Sequence, residues 1–74
     1  MDLKCIEVIG IVSTYDAKKG YGYLSVNGYG RVLLHVTCLR ASGYKTVHVG
    51  MWLRCEIIER FNKPPQAFRV LGEL

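Results

Sequence analysis

Hydrophobic and polar positions alternate with a period of two in several short runs along this chain of 74 residues. Val, Ile, Leu and Tyr dominate these runs, and Gly, Asn and Pro separate them. A period of two is typical of strands that bury one face. No run has the longer period of an extended amphipathic helix. The pattern therefore predicts an all-β fold.

The runs predict five strands, at residues 4–15, 21–26, 31–36, 51–60 and 66–71. Asn27-Gly28 predicts a type I′ hairpin turn, because that turn needs positive φ at both central residues. Residues 37–50 are predicted as a long connection with one helical turn near Cys38. Residues 61–65 are predicted as a turn outside any strand, because Pro64 and Pro65 cannot donate backbone hydrogen bonds.

Five short strands in so short a chain would leave two unprotected edges in an open sheet. Closing the sheet removes both edges, so the sequence predicts a small barrel of five strands with a long loop between strands 3 and 4. The length allows a single domain at residues 1–74. The abrupt end after the fifth strand leaves open that this is the first domain of a longer protein.

The second predicted strand places aliphatic and aromatic side chains on opposite faces. Because alternate residues of a strand face opposite sides, Leu24 and Val26 are predicted to face the core, whereas Lys19, Tyr21 and Tyr23 project outward. The reverse arrangement would require buried partners for two phenol hydroxyls. The third strand is predicted to bring His35 beside these rings. Exposed rings stack on unpaired bases and lysine neutralises phosphate, so this face predicts single-stranded nucleic-acid binding.

The charge distribution favours the same class of partner. Ten basic and six acidic residues give a net charge of +4. Between Val8 and Leu53 the only acidic residue is Asp16. A basic central region suits a polyanion, although a solvated basic face with no partner explains the charge equally simply.

Other function classes find little support in the sequence. The acidic residues are not paired with histidine in any evident cleft, and Gly20-Tyr21-Gly22 lies in a predicted strand rather than before a phosphate-binding helix. We therefore expect no enzymatic activity, no cofactor and no small-molecule substrate.

The cysteines and the hydrophobic runs bear on location. Cys5, Cys38 and Cys55 are odd in number and have no disulfide or metal-ligand spacing, so no metal site is predicted. The apolar run at residues 8–12 is far shorter than the roughly 20 residues that span a bilayer. These features predict a cytoplasmic protein with reduced thiols and no membrane contact.

Five landmarks in order resemble the cold-shock domain family. Residues 19–24, K-G-Y-G-Y-L, resemble its first ribonucleoprotein motif, K-G-F-G-F-I, and residues 32–36, V-L-L-H-V, resemble its second, V-F-V-H-F. Gly43-Tyr44-Lys45-Thr46, Gly50 and Pro65-Gln66-Ala67 follow in the family's order. The resemblance runs from about residue 10 to residue 70.

The resemblance implies a five-stranded antiparallel OB-fold barrel with Greek-key topology. It also implies binding of single-stranded RNA or DNA by base stacking with low sequence specificity. Such a protein acts as an RNA chaperone or as a regulator of transcription or translation. Carried over position by position, the resemblance predicts seven nucleic-acid contacts: Tyr15, Lys19, Tyr21, Tyr23, His35, Tyr44 and Lys63.

The departures from the family pattern leave an alternative open. Thr14 stands where the family has a stacking tryptophan, Asp16 replaces a neutral amide, and Leu33 and Val36 replace phenylalanines. The turn before the fifth strand is one residue longer, with Pro64 in place of glycine. Arg31, Arg40 and Trp52 are candidates for partial compensation. The alternative is a protein-interaction OB module with weakened nucleic-acid binding, in which Trp52 contacts a partner or covers the barrel end.

Overall fold

A computed structural model describes residues 5–74 of the chain. It contains five strands and one short helix, in the order β1 Cys5–Asp16, β2 Tyr21–Val26, β3 Gly30–His35, α1 Val36–Ala41, β4 Trp52–Arg60 and β5 Lys63–Glu73. The predicted start of the first strand at Lys4 lies outside the described residues. The helical turn predicted near Cys38 is confirmed as α1. No helix within residues 5–74 is long and apolar enough to cross a membrane.

The five strands form one closed barrel in the order β1-β2-β3-β5-β4, which confirms the predicted all-β OB barrel. The long strand β1 pairs antiparallel with both β2 and β4. The barrel closes between β3 and β5 through one parallel pair, Leu33 opposite Gln66. Every other strand pairing is antiparallel. The parallel closing pair differs from the fully antiparallel barrel of the prediction.

The inward faces of the strands fill the barrel as the alternation predicts. Leu24 and Leu34 are fully buried, and so are Leu53, Cys55 and Ile57 of β4. Leu39 of α1 belongs to the same buried cluster. Burying an aliphatic side chain of this size contributes about 2 kcal/mol to folding. This core fixes the orientation of β2 and β3, and so determines which side chains they present to solvent.

The prediction that the prolines lie outside any strand is wrong. The turn between β4 and β5 consists of Phe61 and Asn62 only, and β5 already begins at Lys63. Asn62 has φ of 55°, in the left-handed region that asparagine tolerates. Pro64 and Pro65 are accommodated because the pairing is irregular between Ile58 and Arg60, where ladder hydrogen bonds are interrupted.

The type I′ turn predicted at Asn27-Gly28 is also wrong. Within residues 5–74, Asn62 is the only non-glycine residue with positive φ, so Asn27 keeps negative φ. Gly28 has φ of 88°, and the Tyr29 N–H donates to the Val26 carbonyl oxygen at 3.0 Å. Positive φ only at the third residue is the signature of a type II turn. The hairpin loop is therefore three residues long, and β3 begins at Gly30.

The third strand ends one residue earlier than predicted. Val36 is the first residue of α1 rather than the last residue of β3. The change of direction is associated with a bond between the Val36 N–H and the Gly20 carbonyl oxygen at 2.8 Å. Gly20 has φ of 80°, a conformation that favours glycine. The turn before β2 and the start of α1 are thereby held together beside the exposed tyrosines.

Candidate nucleic-acid interface

The outer face of β2 and β3 brings the central predicted contact residues together. Tyr21 lies directly opposite His35, and Tyr23 lies directly opposite Leu33. Facing residues on adjacent antiparallel strands present their side chains on the same side of the sheet, with Cβ atoms about 5 Å apart. The structure thus places Tyr21, Tyr23 and His35 on one surface, as the strand alternation predicted.

The two tyrosine rings meet edge to face. Their centroids are 6.3 Å apart and their planes are inclined at 89°. This is a favourable arrangement for aromatic pairs, since the positive edge of one ring approaches the negative face of the other. Tyr21 is 38 % exposed as a whole residue, whereas Tyr23 is half-buried. Tyr21 therefore offers the more accessible stacking surface.

Arg31 covers part of the Tyr23 ring, a contact that the sequence analysis missed. Its guanidinium carbon lies 4.4 Å from the ring centroid. Arg31 is opposite Ser25, and is therefore a diagonal neighbour of Tyr23 across the strand pair. The sequence did not reveal this contact, because the two-residue turn predicted at Asn27-Gly28 gives a different register from the observed three-residue loop. The planar guanidinium stacks on the ring by a cation–π interaction, which places a positive charge at the centre of the face.

Gly22 allows β1 and β2 to approach each other closely beneath these rings. A Cβ atom at this position would overlap the Thr14 carbonyl oxygen and would lie 2.6 Å from the Tyr15 Cα atom. The register of the β1–β2 pair shifts between Val12 and Thr14. The bulge at Ser13 and the missing side chain at Gly22 together set how β1 joins the tyrosine-bearing strand.

The turn between β1 and β2 positions Lys19 at one end of the face. One carboxylate oxygen of Asp16, Oδ1, accepts the backbone N–H groups of Lys18 and Lys19 at 3.0 and 3.1 Å. These are local side chain-to-backbone bonds of the kind that favour aspartate and asparagine in turns. Asp16 also lies opposite Tyr21. The residue therefore organises the turn and at the same time places a negative charge beside the exposed ring.

His35 has a second role that its sequence position alone did not indicate. It is the N-cap of α1, and its ring Nδ1 atom accepts the Thr37 backbone N–H at 3.2 Å. The Thr37 hydroxyl lies 2.9 Å from the same nitrogen. Because a backbone N–H can only donate, Nδ1 carries no proton in this arrangement. The other ring nitrogen, Nε2, is therefore the one that carries a hydrogen and can donate.

Tyr15, Tyr44 and Lys63 are not gathered with the outward rings. Tyr15 is opposite Gly22, on the inward side of the sheet, and is half-buried against the core. Tyr44 also packs against the core, and its N–H donates to the Leu39 carbonyl oxygen at 2.8 Å. Lys63 is exposed at the start of β5. The parallel β3–β5 pair directs this end of β5 toward the same end of the sheet as Arg31.

Comparison with known proteins identifies the family of this barrel. The chain is 36 % identical over 62 residues to the cold shock protein CspB of Bacillus caldolyticus and to the cold shock protein CspD of Bacillus subtilis. It is 32 % identical over 62 residues to the cold shock protein CspA of Staphylococcus aureus. Each alignment covers 84 % of this chain and 92 % of the relative. The chain belongs to the cold shock protein family. No family model matches it, in keeping with a divergent member.

Membership of the cold shock protein family confirms the resemblance found in the motifs and indicates a non-enzymatic nucleic-acid-binding protein. Two of the positions that depart from the family pattern lie next to Tyr23 on the outer face. Thr14 of β1 is opposite Tyr23 on one neighbouring strand, and Leu33 of β3 is opposite it on the other neighbouring strand. The central ring of this cold shock protein is therefore flanked by a hydroxyl side chain and an aliphatic one, and its partial cover comes from Arg31.

Proposed function

We propose that this cold shock protein binds single-stranded RNA or DNA by stacking unpaired bases on the outer face of β2 and β3. The observation that carries the proposal is the cross-strand cluster of Tyr21, Tyr23 and His35, with Arg31 on the same side and Lys19 in the turn that precedes β2. Aromatic side chains each contribute about 1–3 kcal/mol to stacking on a base. Stacking tolerates all four bases, since every base has a π-face, so we expect low sequence specificity.

The electrostatics of the face support a polyanion as the ligand. Within residues 5–74, two ion pairs form, Arg54 with Glu7 at 3.8 Å and Arg69 with Glu56 at 3.6 Å. Both lie on β1, β4 and β5, away from the tyrosines. Lys19 and Arg31 are not among the ion-paired residues of this described region, so both remain available to phosphates. Release of counterions from the phosphates would then drive much of the binding.

His35 adds a polar contact to this stacking surface. Its Nε2–H group is free to donate to a base edge or a phosphate, because Nδ1 is engaged by Thr37. The predicted contacts of Tyr15, Tyr44 and Lys63 would lie at the margins of the face. Among these three residues, we expect Lys63 to contribute most, through a phosphate, because its side chain is exposed.

Capture of unpaired strands would shift the equilibrium of hairpins toward their open forms. A protein that stacks bases without reading them acts on many transcripts, which is the basis of RNA chaperoning and of regulation through transcript structure. We expect this activity in the cytoplasm, where the free thiols of Cys5, Cys38 and Cys55 remain reduced.

The proposal is tested by fluorescence anisotropy with labelled heptathymidine and heptauridine at two salt concentrations. We expect binding to both strands, with affinity that falls steeply as salt rises. Tyr21→Ala should weaken binding roughly tenfold, whereas Leu71→Ala, which removes an exposed apolar side chain where β5 pairs with β4, serves as the control. NMR shifts should centre on Tyr21, Tyr23 and His35.

Absence of binding to either strand at low salt would overturn this proposal. Binding that is insensitive to salt would also contradict it, because a phosphate-binding face requires counterion release. In either case the same apolar and aromatic face becomes a candidate contact for a protein partner, the alternative that the sequence left open.

A further inference from the structure

Trp52 is a large aromatic side chain that the barrel leaves in solvent. It is the only tryptophan of the chain, it is the first residue of β4, and it is 49 % exposed. The next residues of the inward face, Leu53 and Cys55, are fully buried, so the strand alternation directs Trp52 outward. It therefore does not plug the barrel. Exposed apolar rings joined to other apolar surface mark interaction sites.

The strand register connects Trp52 to the candidate nucleic-acid interface. Trp52 lies opposite Ile11 of β1, Ile11 lies opposite Ser25 of β2, and Ser25 lies opposite Arg31 of β3. These four side chains form one row across the outer surface of four strands. With strands about 4.8 Å apart, Trp52 is roughly 12 Å from Tyr23 measured along the sheet. Trp52 is thus on the far side of β1 from the tyrosines.

The row between the two aromatic regions presents no barrier to an extended strand. Ser25 is small, and Ile11 is half-buried, so neither stands above the surface as a charged or bulky obstacle. Arg31, at the other end of the row, supplies a positive charge for the phosphates. The guanidinium already covers part of the Tyr23 ring, whereas Trp52 offers an exposed ring at the other end of the row.

From this arrangement we infer that the nucleic-acid surface continues across β1 onto β4, and that a base of the same bound strand stacks on Trp52. The inference rests on the proposed function, because one strand covers both regions. It assigns Trp52 and Ile11 to the interface and makes the site longer than the face of β2 and β3. A trinucleotide covers the tyrosines alone, whereas a heptanucleotide reaches Trp52.

The single tryptophan provides a direct readout of this stacking. Unlabelled trithymidine and heptathymidine are titrated into the protein while tryptophan emission is recorded, and binding of labelled strands is followed separately by anisotropy. We expect heptathymidine to quench the emission with the same midpoint as the anisotropy change. Trithymidine should bind more weakly and leave the emission nearly unchanged.

Two variants separate stacking from a general effect on the fold. Trp52→Ala should weaken heptathymidine binding roughly tenfold, the effect of losing one stacked ring, and should leave trithymidine binding unchanged. Trp52→Phe should restore part of the loss because it keeps a ring. Trithymidine binding of the same variants is the internal control, and thermal unfolding of each variant establishes that the barrel is intact.

The outcomes distinguish this inference from the proposed function. If heptathymidine raises the anisotropy while tryptophan emission and the affinity of Trp52→Ala stay unchanged, the extended surface is wrong and the binding function stands. If neither strand binds at low salt, the proposed function fails and this inference fails with it. If emission shifts with protein concentration rather than with oligonucleotide, a second copy of the chain covers Trp52 and the inference is overturned.

Discussion

Asp16 carries two effects that a single substitution separates. Its carboxylate accepts the backbone N–H groups of Lys18 and Lys19, and its negative charge lies opposite Tyr21, where a phosphate would approach. An asparagine keeps the acceptor oxygen and removes the charge. The turn therefore needs an acceptor oxygen at this position, whereas the proposed nucleic-acid ligand should bind more tightly when the side chain here is neutral.

We predict that Asp16→Asn tightens oligonucleotide binding a few-fold at low salt, and that the difference shrinks as salt screens the charge. Stability should stay close to that of the parent chain. Asp16→Ala removes the charge and also both turn hydrogen bonds, so it should lower the free energy of unfolding by about 1 kcal/mol. Anisotropy at two salt concentrations and urea unfolding measure the two effects. Equal affinity of Asp16→Asn and the parent at low salt would contradict the assignment.

Gly22 is required by the close approach of β1. We predict that Gly22→Ala lowers the free energy of unfolding by about 3 kcal/mol or more, because the new Cβ atom meets the backbone of Thr14 and Tyr15, which cannot move without separating the strands. Gly72→Ala is the matched control: nothing lies within 4 Å of its Cβ position. Its stability should change by less than about 0.5 kcal/mol. Urea unfolding compares the two, and equal losses would argue against the backbone contact.

At the scale of elements, His35 at the junction of β3 and α1 has both a structural role and a proposed binding role. His35 ends the strand that carries the outward face, and its ring also caps the helix that follows. A helix of six residues is too short to be stable in isolation, so its cap and the burial of Leu39 hold it in place. Sequence patterns located the strand and the helical turn correctly, but not the residue at which one becomes the other.

Asparagine at position 35 distinguishes the two roles, because it is a good N-cap without an aromatic ring. We predict that His35→Asn keeps the stability of the parent chain within about 0.5 kcal/mol, whereas His35→Ala loses about 1 kcal/mol through the missing cap. Both variants should lose oligonucleotide affinity to a similar extent, up to roughly tenfold. Thermal unfolding and anisotropy provide the two readouts. Parent-like affinity of His35→Asn would show that the ring does not stack.

At the scale of the whole molecule, the barrel core contains two thiols whose ionisation is linked to folding. Burial raises the pKa of Cys55 from its ordinary value of 9.0 to about 12, and the nearby Cys38 adds to this shift. Burial also raises the pKa of Cys38, although hydrogen bonds with Ser42 and Val70 oppose the change. Both thiols are therefore held in their neutral form by the folded barrel.

A pKa that is higher in the folded than in the unfolded chain contributes stability below the unfolded value, and this contribution is lost as pH rises. We predict that the stability contributed by Cys55 is complete below pH 9 and declines between pH 9 and about 12, by at most ~1.4 kcal/mol per pH unit. Cys55→Ala should be less stable at neutral pH because it leaves a cavity, but its stability should fall less steeply above pH 9. Urea midpoints measured from pH 8 to 10.5 test this, and parallel slopes would refute it.

Features that depend on a few neighbouring residues could be predicted from the sequence, whereas features that depend on contacts between distant strands could not. Alternation within β2 and β3 determined which side chains enter the core and which face solvent, because burial of Leu24 or Leu34 depends mainly on strand geometry over a few residues. The motifs around Lys19 and His35 likewise identified the family and the centre of the proposed interface. The two turns were less predictable, because several turn types suit the same residues and the packed strands select one.

Only the tertiary structure decided how the strands meet. The bulge at Ser13, the approach of β1 at Gly22, the parallel pair that closes the barrel and the row from Arg31 to Trp52 all depend on the register between strands. Register is set by the packing of the whole core rather than by any local run. For that reason the sequence by itself determined the aromatic centre of the face, and the folded barrel decided that Arg31 covers Tyr23 and that Trp52 lies beyond Ile11 at the other end.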